Sequence, residues 1–465
     1  MKNLNRRKFL TQSGLGSAAM ALTPAIPASM WSPPSQKNQS YMGDFKAAPL
    51  DRVKMAFVGV GYRGFYHAQQ WAQIEGTEIV AVCDVFEDLV EKTILECKQQ
   101  GEGNRHQNIA AYSGSTSAWK KMLEEVDADA VVIATNWKNH APMAIATMRS
   151  GAHAFVEVPL GIHLNELWEI VDTSEATQKH CMMLENVNYG REELLYLNLC
   201  RQGKIGNLLH GEAAYIHELR WQMDELPRGT GSWRTKHYAN RNGNLYPTHG
   251  LGPIAQYMNL ARGEDLFSHI VSFSTPSLGR NLHAKKNYLP DHQWNQYDFK
   301  GGDLNTSVIK TNLGRTIMVQ WDETSPRPYT RHNLIQGTLG TLADYPPRVA
   351  FEGGFEGVSE THLEWIQGDA LEKLYDQYEH PMYKRLGALA EKMGGHGGMD
   401  FIMRYRIIEC LQQGLALDQN IYEGCFWSAV GPLSEASVAE GGHPQKFPDF
   451  TRGRWEQTNP LSIVK

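Results

Sequence analysis

The sequence predicts an α/β fold with an N-terminal doubly wound parallel sheet and a C-terminal α+β domain that has a mostly antiparallel open sheet. Three observations predict it. Short apolar strands alternate with helical patterns in the first part of the chain, and a glycine-rich turn follows the first strand. Beyond that part, strands follow one another with short turns. We therefore divide the chain into a leader (1–31), a linker (32–51), a first domain (52–186) and a second domain (187–465).

Composition and charge exclude several classes of protein. The 465 residues have an ordinary apolar content, a formal charge of -6 and no long block of lysine or arginine. Such a chain can bury two or three substantial cores, whereas a nucleic-acid surface has little support. The six cysteines are scattered without CxxC spacing, so we expect buried thiols. We expect a small, neutral substrate, no nucleic-acid partner and no metal, and homo-oligomer formation is left open.

The first residues have the pattern of an export signal. Arg6 and Arg7 precede an uncharged run of small residues from Ser13 to Ala28, which is typical of a twin-arginine leader. An ordinary secretory signal is the alternative. A Pro/Ser/Gln/Asn-rich stretch from Ser32 to Ala48 then predicts a linker, with the fold beginning close to Arg52. We expect a periplasmic or cell-surface protein with no transmembrane segment, since no later apolar run approaches the roughly 20 residues of a membrane helix.

The glycine-rich turn has the pattern of a dinucleotide site. Lys54 to Val58 form an apolar strand, the sequence GVGYRG follows, and a helical pattern runs from Phe65 to Ile74. The first glycine permits a tight turn, the second lets a pyrophosphate approach the backbone, and the third lets the helix pack on the strand. The helix then presents unpaired N–H groups and a positive dipole end to the phosphates. These glycines are Gly59, Gly61 and Gly64.

The end of the second strand favours NAD over NADP. The strand from Glu78 to Cys83 ends at Asp84, which lies 20 residues after Gly64. A carboxylate at this place can bind both hydroxyls of the adenosine ribose and would repel a 2′-phosphate. A structural glycine turn with a solvated aspartate is the alternative. NAD also fits the leader, because twin-arginine export carries folded proteins that often have their cofactor loaded.

Alternation of strands and helices continues to Asn186. Ligands of open α/β sheets collect at the carboxyl ends of the strands, so the residues that follow each strand are candidates for the cofactor site. The strands are Ala128–Thr135 before Asn136–His140, His153–Val158 ending at Glu157-Val158-Pro159, and Cys181–Leu184 before Glu185-Asn186; the helices are Met143–Ser150 and Leu164–Thr177.

The second half contains an unusually polar segment, Trp233 to Gly252. About twenty residues supply two arginines, two histidines and two tyrosines. Sugars are held through many directional hydrogen bonds and stacking faces, so this density predicts a sugar site, with a solvated polar loop as the alternative. His249 precedes a predicted helix from Gly252 to Leu260 and so can project into the cleft. The other elements predicted here are a helix over Glu192–Gln202 and strands over Leu208–His217, Ile270–Ser274, Ser307–Asn312 and Thr316–Trp321.

His396 is a weaker candidate. It lies in the sequence GHGGMD, where it could be a metal ligand, but no second ligand stands at helical or CxxC-like spacing. We favour a tight loop before a long C-terminal helix.

With these motifs in view, the chain resembles the Gfo/Idh/MocA oxidoreductase superfamily, and within it the NAD-dependent α-N-acetylgalactosaminidase family of glycoside hydrolases. The likeness covers nearly the whole mature chain. Dehydrogenases of the superfamily generally have a Glu-Lys-Pro turn whose lysine assists hydride transfer, and here Val158 replaces that lysine. The most specific motifs are ENVNY, WRTKHYANRNGNLYPTHGLGP, RPY, GHGGMD, PLSE and PDFT.

The resemblance implies two sets of site residues. Tyr246 and His249 would perform the acid and base steps, with Tyr189 as a neighbouring candidate, and the proton that each transfers is left open. The implied NAD contacts are Tyr62, Arg63, Asp84, Trp137, Lys138, Asn139, His140, Glu157, Val158 and Asn186. The implied substrate contacts are Tyr215, Arg234, Tyr246, Pro247, Thr248, His249 and Tyr329.

The resemblance also implies an activity, the removal of terminal α-linked N-acetylgalactosamine from glycans by a redox-neutral cycle on bound NAD. An exported sugar oxidoreductase resembling glucose-fructose oxidoreductase and a non-catalytic sugar-binding protein are the alternatives. Val158 favours the glycosidase over the oxidoreductase, and the intact glycine turn with Asp84 disfavours the binding protein.

Overall fold

The structure, a computed structural model, describes residues 40–100 and 105–461. The predicted leader and the first part of the predicted linker, residues 32–39, lie outside the described residues. The last part of that linker packs on the fold: Met42 is buried and its N–H donates to the hydroxyl of Tyr422 at 3.1 Å. Lys46 forms a β-bridge with Ala416. The fold therefore begins about ten residues before Arg52, because this polar stretch carries an apolar side chain with a place in the core.

The first domain contains six parallel strands in the order β3-β2-β1-β4-β5-β6. The strands β4, β5 and β6 are buried along their whole length, as expected of a parallel sheet with helices on both faces. The predicted doubly wound sheet is thus confirmed, and the strand order reverses beside β1, where such folds bind ligands. The strands are β1 (Val53–Val58), β2 (Thr77–Cys83), β3 (Ala110–Tyr112), β4 (Ala130–Ile133), β5 (His153–Val156) and β6 (Cys181–Met183).

One helix of this domain begins earlier than predicted. The helix predicted from Met143 begins at Trp137, after Asn136 in extended conformation. Because its first turn carries polar residues without an apolar period, the sequence pattern missed it. The helices of the first domain are α1 (Tyr62–Gln73), α2 (Glu87–Gln99), α3 (Ala118–Glu125), α4 (Trp137–Arg149) and α5 (Leu164–Thr177), followed by a 3-10 turn over Asn186–Tyr189.

The second domain contains a nine-stranded sheet in the order β14-β13-β12-β11-β7-β10-β9-β8-β15. Its pairs are antiparallel except for β7 with β10, which confirms the predicted mostly antiparallel sheet. The strands are β7 (Leu208–Ile216), β8 (Phe267–Ser274), β9 (Leu304–Thr311), β10 (Thr316–Asp322), β11 (Leu334–Gly337), β12 (Gly340–Ala343), β13 (Arg348–Phe351), β14 (Ile366–Gln367) and β15 (Gln445–Lys446).

Helices of the second half cover both sheets. Buried and half-exposed residues alternate along β9 and β10, so one face of the second sheet is buried, against α8 and α13 among others. By contrast, α12 packs on β1 and α1 of the first domain. The helices are α6 (Arg191–Arg201), α7 (Thr230–Asn240), α8 (Thr248–Tyr257), α9 (Gly279–Asn287), α10 (Glu372–Tyr378), α11 (Pro381–Met393), α12 (Met399–Gln413) and α13 (Ile421–Ala439).

Helix α8 corrects the prediction at its start. It begins at Thr248, four residues before Gly252, so His249 lies in its first turn instead of just before it. Glycine and proline in the first turns hid this helix from the sequence pattern.

Within residues 40–100 and 105–461, none of the helices combines the length and the apolar character that a membrane span requires.

Candidate active site

The glycine turn between β1 and α1 fits a dinucleotide. Gly59 has a φ of +81°, and a Cβ on Gly64 would lie 1.8 Å from the carbonyl oxygen of Gly59, so both positions require glycine for the backbone itself. A Cβ on Gly61 would meet no atom within 4 Å. The space beside Gly61 is therefore open to a ligand. The first turn of α1 carries no acidic residue, which leaves its positive end available to phosphates.

Asp84 stands at the carboxyl end of β2, beside this turn. One carboxylate oxygen accepts from the backbone N–H of Val60 at 2.7 Å, and the other accepts from that of Phe86 at 3.0 Å. These two bonds fix the orientation of the carboxylate between the glycine turn and the start of α2. That this carboxylate binds the hydroxyls of an adenosine ribose stays a prediction from the sequence.

A buried ion network lies on the other side of the turn. Glu157, after β5, accepts from Arg63 Nε at 2.7 Å and from His67 Nε2 at 2.6 Å. Although burial acts to raise the pKa of Glu157, the Arg63 and His67 contacts hold it well below its ordinary value. Burial lowers the pKa of His67 to about 4, so His67 is neutral and donates one N–H to Glu157.

Asp400, from the second half of the chain, completes the network. It binds both terminal nitrogens of Arg63, at 2.7 and 2.9 Å, and accepts from Asn186 Nδ2 at 2.8 Å. His396 Nδ1 lies 2.8 Å from the same carboxylate, within the tight loop that precedes α12. Burial opposes ionisation of Asp400, but the cations around it, Arg63 first, lower its pKa well below the ordinary range.

His249 is held by a carboxylate. Its Nδ1 lies 2.6 Å from Glu185 Oε1, and Glu185 is fully buried at the end of β6. A carboxylate on Nδ1 favours the tautomer whose Nε2 is free to accept a proton. Helix α8 brings this ring to the edge of the first domain, where the side chain of His249 keeps a small exposed fraction.

Tyr246 and Arg234 form the wall beside His249. The ring centroid of Tyr246 lies 5.1 Å from that of His249, and the Arg234 guanidinium lies 4.4 Å from the Tyr246 centroid. Trp137 stacks on Tyr246 at 5.6 Å. Burial raises the pKa of Tyr246 well above its ordinary value, although Arg234 opposes this. Tyr246 therefore keeps its proton at neutral pH.

Glu323 holds the side chain of Arg234 in place. Glu323 was not predicted from the sequence. The two side chains form a buried ion pair, and the hydroxyl of Tyr238 donates to the same Glu323 oxygen at 2.9 Å. Arg234 Nε also donates to that hydroxyl, at 2.5 Å. Glu323 follows β10 without any local motif, so the sequence carried no signal for it.

A second aromatic group lines the wall. Tyr215 lies 4.7 Å from Tyr246 between ring centroids, and its hydroxyl is 3.0 Å from His217 Nδ1. Tyr329 packs edge-on against His217 at 5.0 Å and accepts at its hydroxyl from Arg331 NH1 at 3.0 Å. The ring of Tyr329 remains 39% exposed, so it offers a face to a ligand.

Two other predicted residues, His140 and Tyr189, lie away from the group formed by His249, Tyr246 and Arg234. Both ring nitrogens of His140 face backbone carbonyls, those of Pro159 at 2.7 Å and Thr135 at 3.1 Å, within the core. The Tyr189 hydroxyl donates to Asp418 at 3.3 Å, and its ring belongs to the core of the first domain.

The remaining predicted residues differ in their exposure to solvent. Lys138 and Tyr62 are exposed and Asn139 is half-buried, whereas Pro247, Thr248 and Val158 are buried.

Several site residues were not assigned their roles from the sequence, and the most important of these are Glu185, Glu323 and Asp400. Two of them stand in motifs that the sequence singled out, because Glu185 opens ENVNY and Asp400 closes GHGGMD. Their neighbours in these motifs were proposed as site residues instead. A contact between two distant segments produces no recognisable pattern in the sequence of either segment.

The fold defines an NAD-binding Rossmann protein, and a polar, aromatic wall lies on its second domain. Residues 53–185 match the oxidoreductase family with an NAD-binding Rossmann fold (GFO_IDH_MocA), and residues 189–457 match the C-terminal domain of glycosyl hydrolase 109. The chain belongs to glycosyl hydrolase family 109.

Curated relatives match along their whole length. The chain is 55% identical to glycosyl hydrolase family 109 protein 1 of Akkermansia muciniphila, with 99% of each chain covered. It is 51% identical to the family 109 protein of a Shewanella species, strain W3-18-1, with 100% of each covered.

Solved structures share the fold. An NAD-binding oxidoreductase from Klebsiella pneumoniae has a TM-score of 0.66 at 14% identity, covering 85% of this chain and 99% of that one. Levoglucosan dehydrogenase, in complex with NADH and levoglucosan, has a TM-score of 0.64 at 18% identity, covering 86% and 100%.

Proposed function

We propose that the protein removes terminal α-linked N-acetylgalactosamine from glycans, using NAD that is regenerated in every cycle. The observation that carries this proposal is Val158, a buried valine at the turn where dehydrogenases of the superfamily have lysine, in a chain with an intact NAD site. Membership of a glycosyl hydrolase family supports the same activity.

Bound NAD would take a hydride from C3 of the sugar while the C3 hydroxyl gives up its proton, and both would be returned at the end of the cycle, so that no net oxidation occurs. A C3 ketone makes the proton on C2 acidic, and we assign its removal to His249. Glu185 on Nδ1 leaves Nε2 available and stabilises the imidazolium that forms, as the carboxylate of a catalytic triad does. After the aglycone has left from C1, water adds there and gives a proton back to the Tyr246 phenolate, and His249 returns its own proton to C2.

Tyr246 is the complementary acid. Burial keeps it protonated at neutral pH, so it can donate to the oxygen that leaves C1. The guanidinium beside the ring stabilises negative charge that develops on the phenol when the proton moves.

Arg234 and two tyrosines would hold the sugar. Glu323 and Tyr238 fix Arg234 on one side, so the Arg234 side chain loses less conformational entropy when it binds a substrate. Tyr215 and Tyr329 add hydroxyl groups and a partly exposed ring face, both of which suit a pyranose.

A chromogenic α-N-acetylgalactosaminide tests the proposal. The purified protein, with no cofactor added, is expected to release the aglycone without net formation of NADH. Aldose-dependent NADH formation without aglycone release would contradict the glycosidase and support a sugar oxidoreductase.

We also propose that the chain is exported by the twin-arginine pathway to the periplasm or cell surface. The Arg6-Arg7 pair and the small-residue run support this. Replacement of both arginines by lysine is expected to retain the protein in the cytoplasm, as fractionation would show; unchanged export would contradict the proposal.

A further inference from the structure

A segment of the second domain reaches the first domain at the adenosine end of the NAD site. Residues 225–229 connect a 3-10 turn (Arg220–Asp224) with α7. From this segment, Arg228 NH1 donates to Asp88 Oδ1 at 3.0 Å, and NH2 lies 2.9 Å from Oδ2. The guanidinium also lies 5.1 Å from the ring centroid of Phe86. The contact is thus a bidentate ion pair beside a cation–π contact.

The position of this pair relates it to the cofactor. Phe86 and Asp88 follow Asp84 at the start of α2, and the backbone of Phe86 is bonded to the Asp84 carboxylate itself. A ribose held by Asp84 places its adenine beside the residues that follow this carboxylate. Arg228 therefore lies where a second domain can close over the adenosine.

The segment is held at both ends. Glu225 accepts from the backbone N–H of Gly231 at 2.6 Å, and Asp224 accepts from the hydroxyl of Tyr288 at 2.6 Å. A Cβ on Gly231 would lie 1.7 Å from the carbonyl oxygen of Gln222, so the backbone approaches closely there. These anchors limit the conformational entropy that Arg228 loses when it pairs with Asp88.

We propose that Arg228 is a cofactor-retaining residue, whose ion pair with Asp88 closes the adenosine end of the NAD site and slows release of NAD. Exposed ion pairs contribute little to the stability of a fold. A pair that must open before a ligand leaves acts instead on the dissociation rate. Helix α7, which follows this segment directly, carries Arg234, so Arg228 and Arg234 lie in one continuous stretch of the chain.

This inference rests on NAD binding. It rests on the proposed function only for the reason that retention is useful, since a cofactor recycled in place has to stay bound. NAD release is measured without any sugar, so a failed hydrolysis assay and a failed retention assay are distinguishable.

The test is the rate of NAD loss from the purified holoprotein after dilution into NAD-free buffer. Arg228→Ala and Asp88→Asn are each expected to release NAD up to about fivefold faster, the range of an exposed ion pair. The double variant is expected to be no faster than either, since both remove the same pair. Arg228→Lys should be intermediate, because lysine keeps the charge without the two-pronged geometry.

Salt and a control variant complete the test. Added salt should speed NAD release from the unaltered protein and much less from Arg228→Ala. Arg149→Ala, which removes the comparably exposed pair with Glu169 inside the first domain, should leave the rate unchanged. An Arg228→Ala protein that retains NAD as long as the unaltered protein would overturn the inference. Equal acceleration by Arg149→Ala would do the same.

Discussion

At the residue scale, His249 depends on how closely α8 approaches the end of β6. A Cβ on Gly252 would lie 2.9 Å from Asn188 Oδ1 and 3.1 Å from Glu185 Cγ, so glycine at this position lets the helix reach Glu185. The backbone then places His249, one turn earlier, on the Glu185 carboxylate. An imidazole with this partner has a defined tautomer.

Replacement of Glu185 by glutamine tests this arrangement. Because a neutral amide stabilises the imidazolium less, Glu185→Gln should lower kcat for glycoside hydrolysis about 10²-fold, the lower range of acid–base catalysis, with a small effect on KM. His249→Ala should nearly abolish turnover. Both variants should retain NAD, measured by absorbance of the cofactor released on denaturation.

The double variant provides the control. If Glu185 acts only through His249, then Glu185→Gln combined with His249→Ala should be no slower than His249→Ala alone. An additional loss would show that Glu185 has a separate role, and loss of NAD would show that His249 is a cofactor contact.

At the element scale, the turn between β1 and α1 separates glycines needed by the fold from one needed by the ligand. Gly64 touches the carbonyl of Gly59, whereas Gly61 borders open space. Within one six-residue motif, glycine is therefore required at position 64 by the packing of the backbone and at position 61 by the approach of the ligand.

Two alanine substitutions distinguish these reasons. Gly61→Ala should leave the melting temperature of the NAD-free protein nearly unchanged and weaken NAD binding at least about tenfold, or about 1.4 kcal/mol, because its Cβ fills the approach of the pyrophosphate. Gly64→Ala should lower the melting temperature of the same NAD-free protein. Calorimetry of NAD binding and thermal unfolding measure both effects; normal NAD affinity in Gly61→Ala would contradict the assignment.

Local patterns predicted the elements better than their ends. The apolar runs predicted five of the six strands of the first sheet and four of the nine strands of the second, and the glycine pattern predicted the turn, since burial on two faces and tight turns restrict residue type directly. The starts of α4 and α8 were missed, because their first turns are polar or contain glycine and proline. The strands β3 and β11–β15 and the helices α2, α3, α7, α9, α10, α11 and α13 were not predicted.

The site was predicted unevenly for a related reason. Residues within one motif, such as Tyr246 and His249, stand together in the sequence and were found together. Glu323 and Arg234 are 89 positions apart, and Asp400 and Arg63 are 337 apart. Such pairs are specified by the tertiary fold, which no local pattern contains.

At the scale of the whole molecule, the two halves meet through buried charge. Arg63 and Glu157 from the first domain and Asp400 and Arg404 from α12 give two anions and two cations in one network. Removal of one partner from such a network leaves an uncompensated buried charge, which costs more than the intact pair contributes.

Asp400→Asn should therefore lower the free energy of unfolding by about 3–5 kcal/mol, the range for breaking a buried ion pair. The pKa of Asp400 is lower in the folded protein than in the unfolded chain, so its contribution is present above the unfolded value, about 3.9, and is lost as the pH falls through the folded value. Urea unfolding of both proteins should show the difference shrinking below about pH 4.

An exposed carboxylate serves as the control. Asp127 pairs with Lys54 at the surface, and Asp127→Asn should leave the unfolding curve little changed. A difference between Asp400→Asn and the unaltered protein that grows as the pH falls would contradict the assigned ionisation.

The packing of α12 on β1 and α1 also orders events during synthesis. Phe401, Ile408 and Leu411 share a core with Phe57 and Trp71, although more than three hundred residues separate them. While the ribosome has not passed α12, those apolar side chains of the first domain lack part of their cover, and a free N-terminal half exposes an apolar surface of the kind that chaperones bind. The nucleotide-binding half is thus synthesised first, but its core is complete only after α12 has been synthesised.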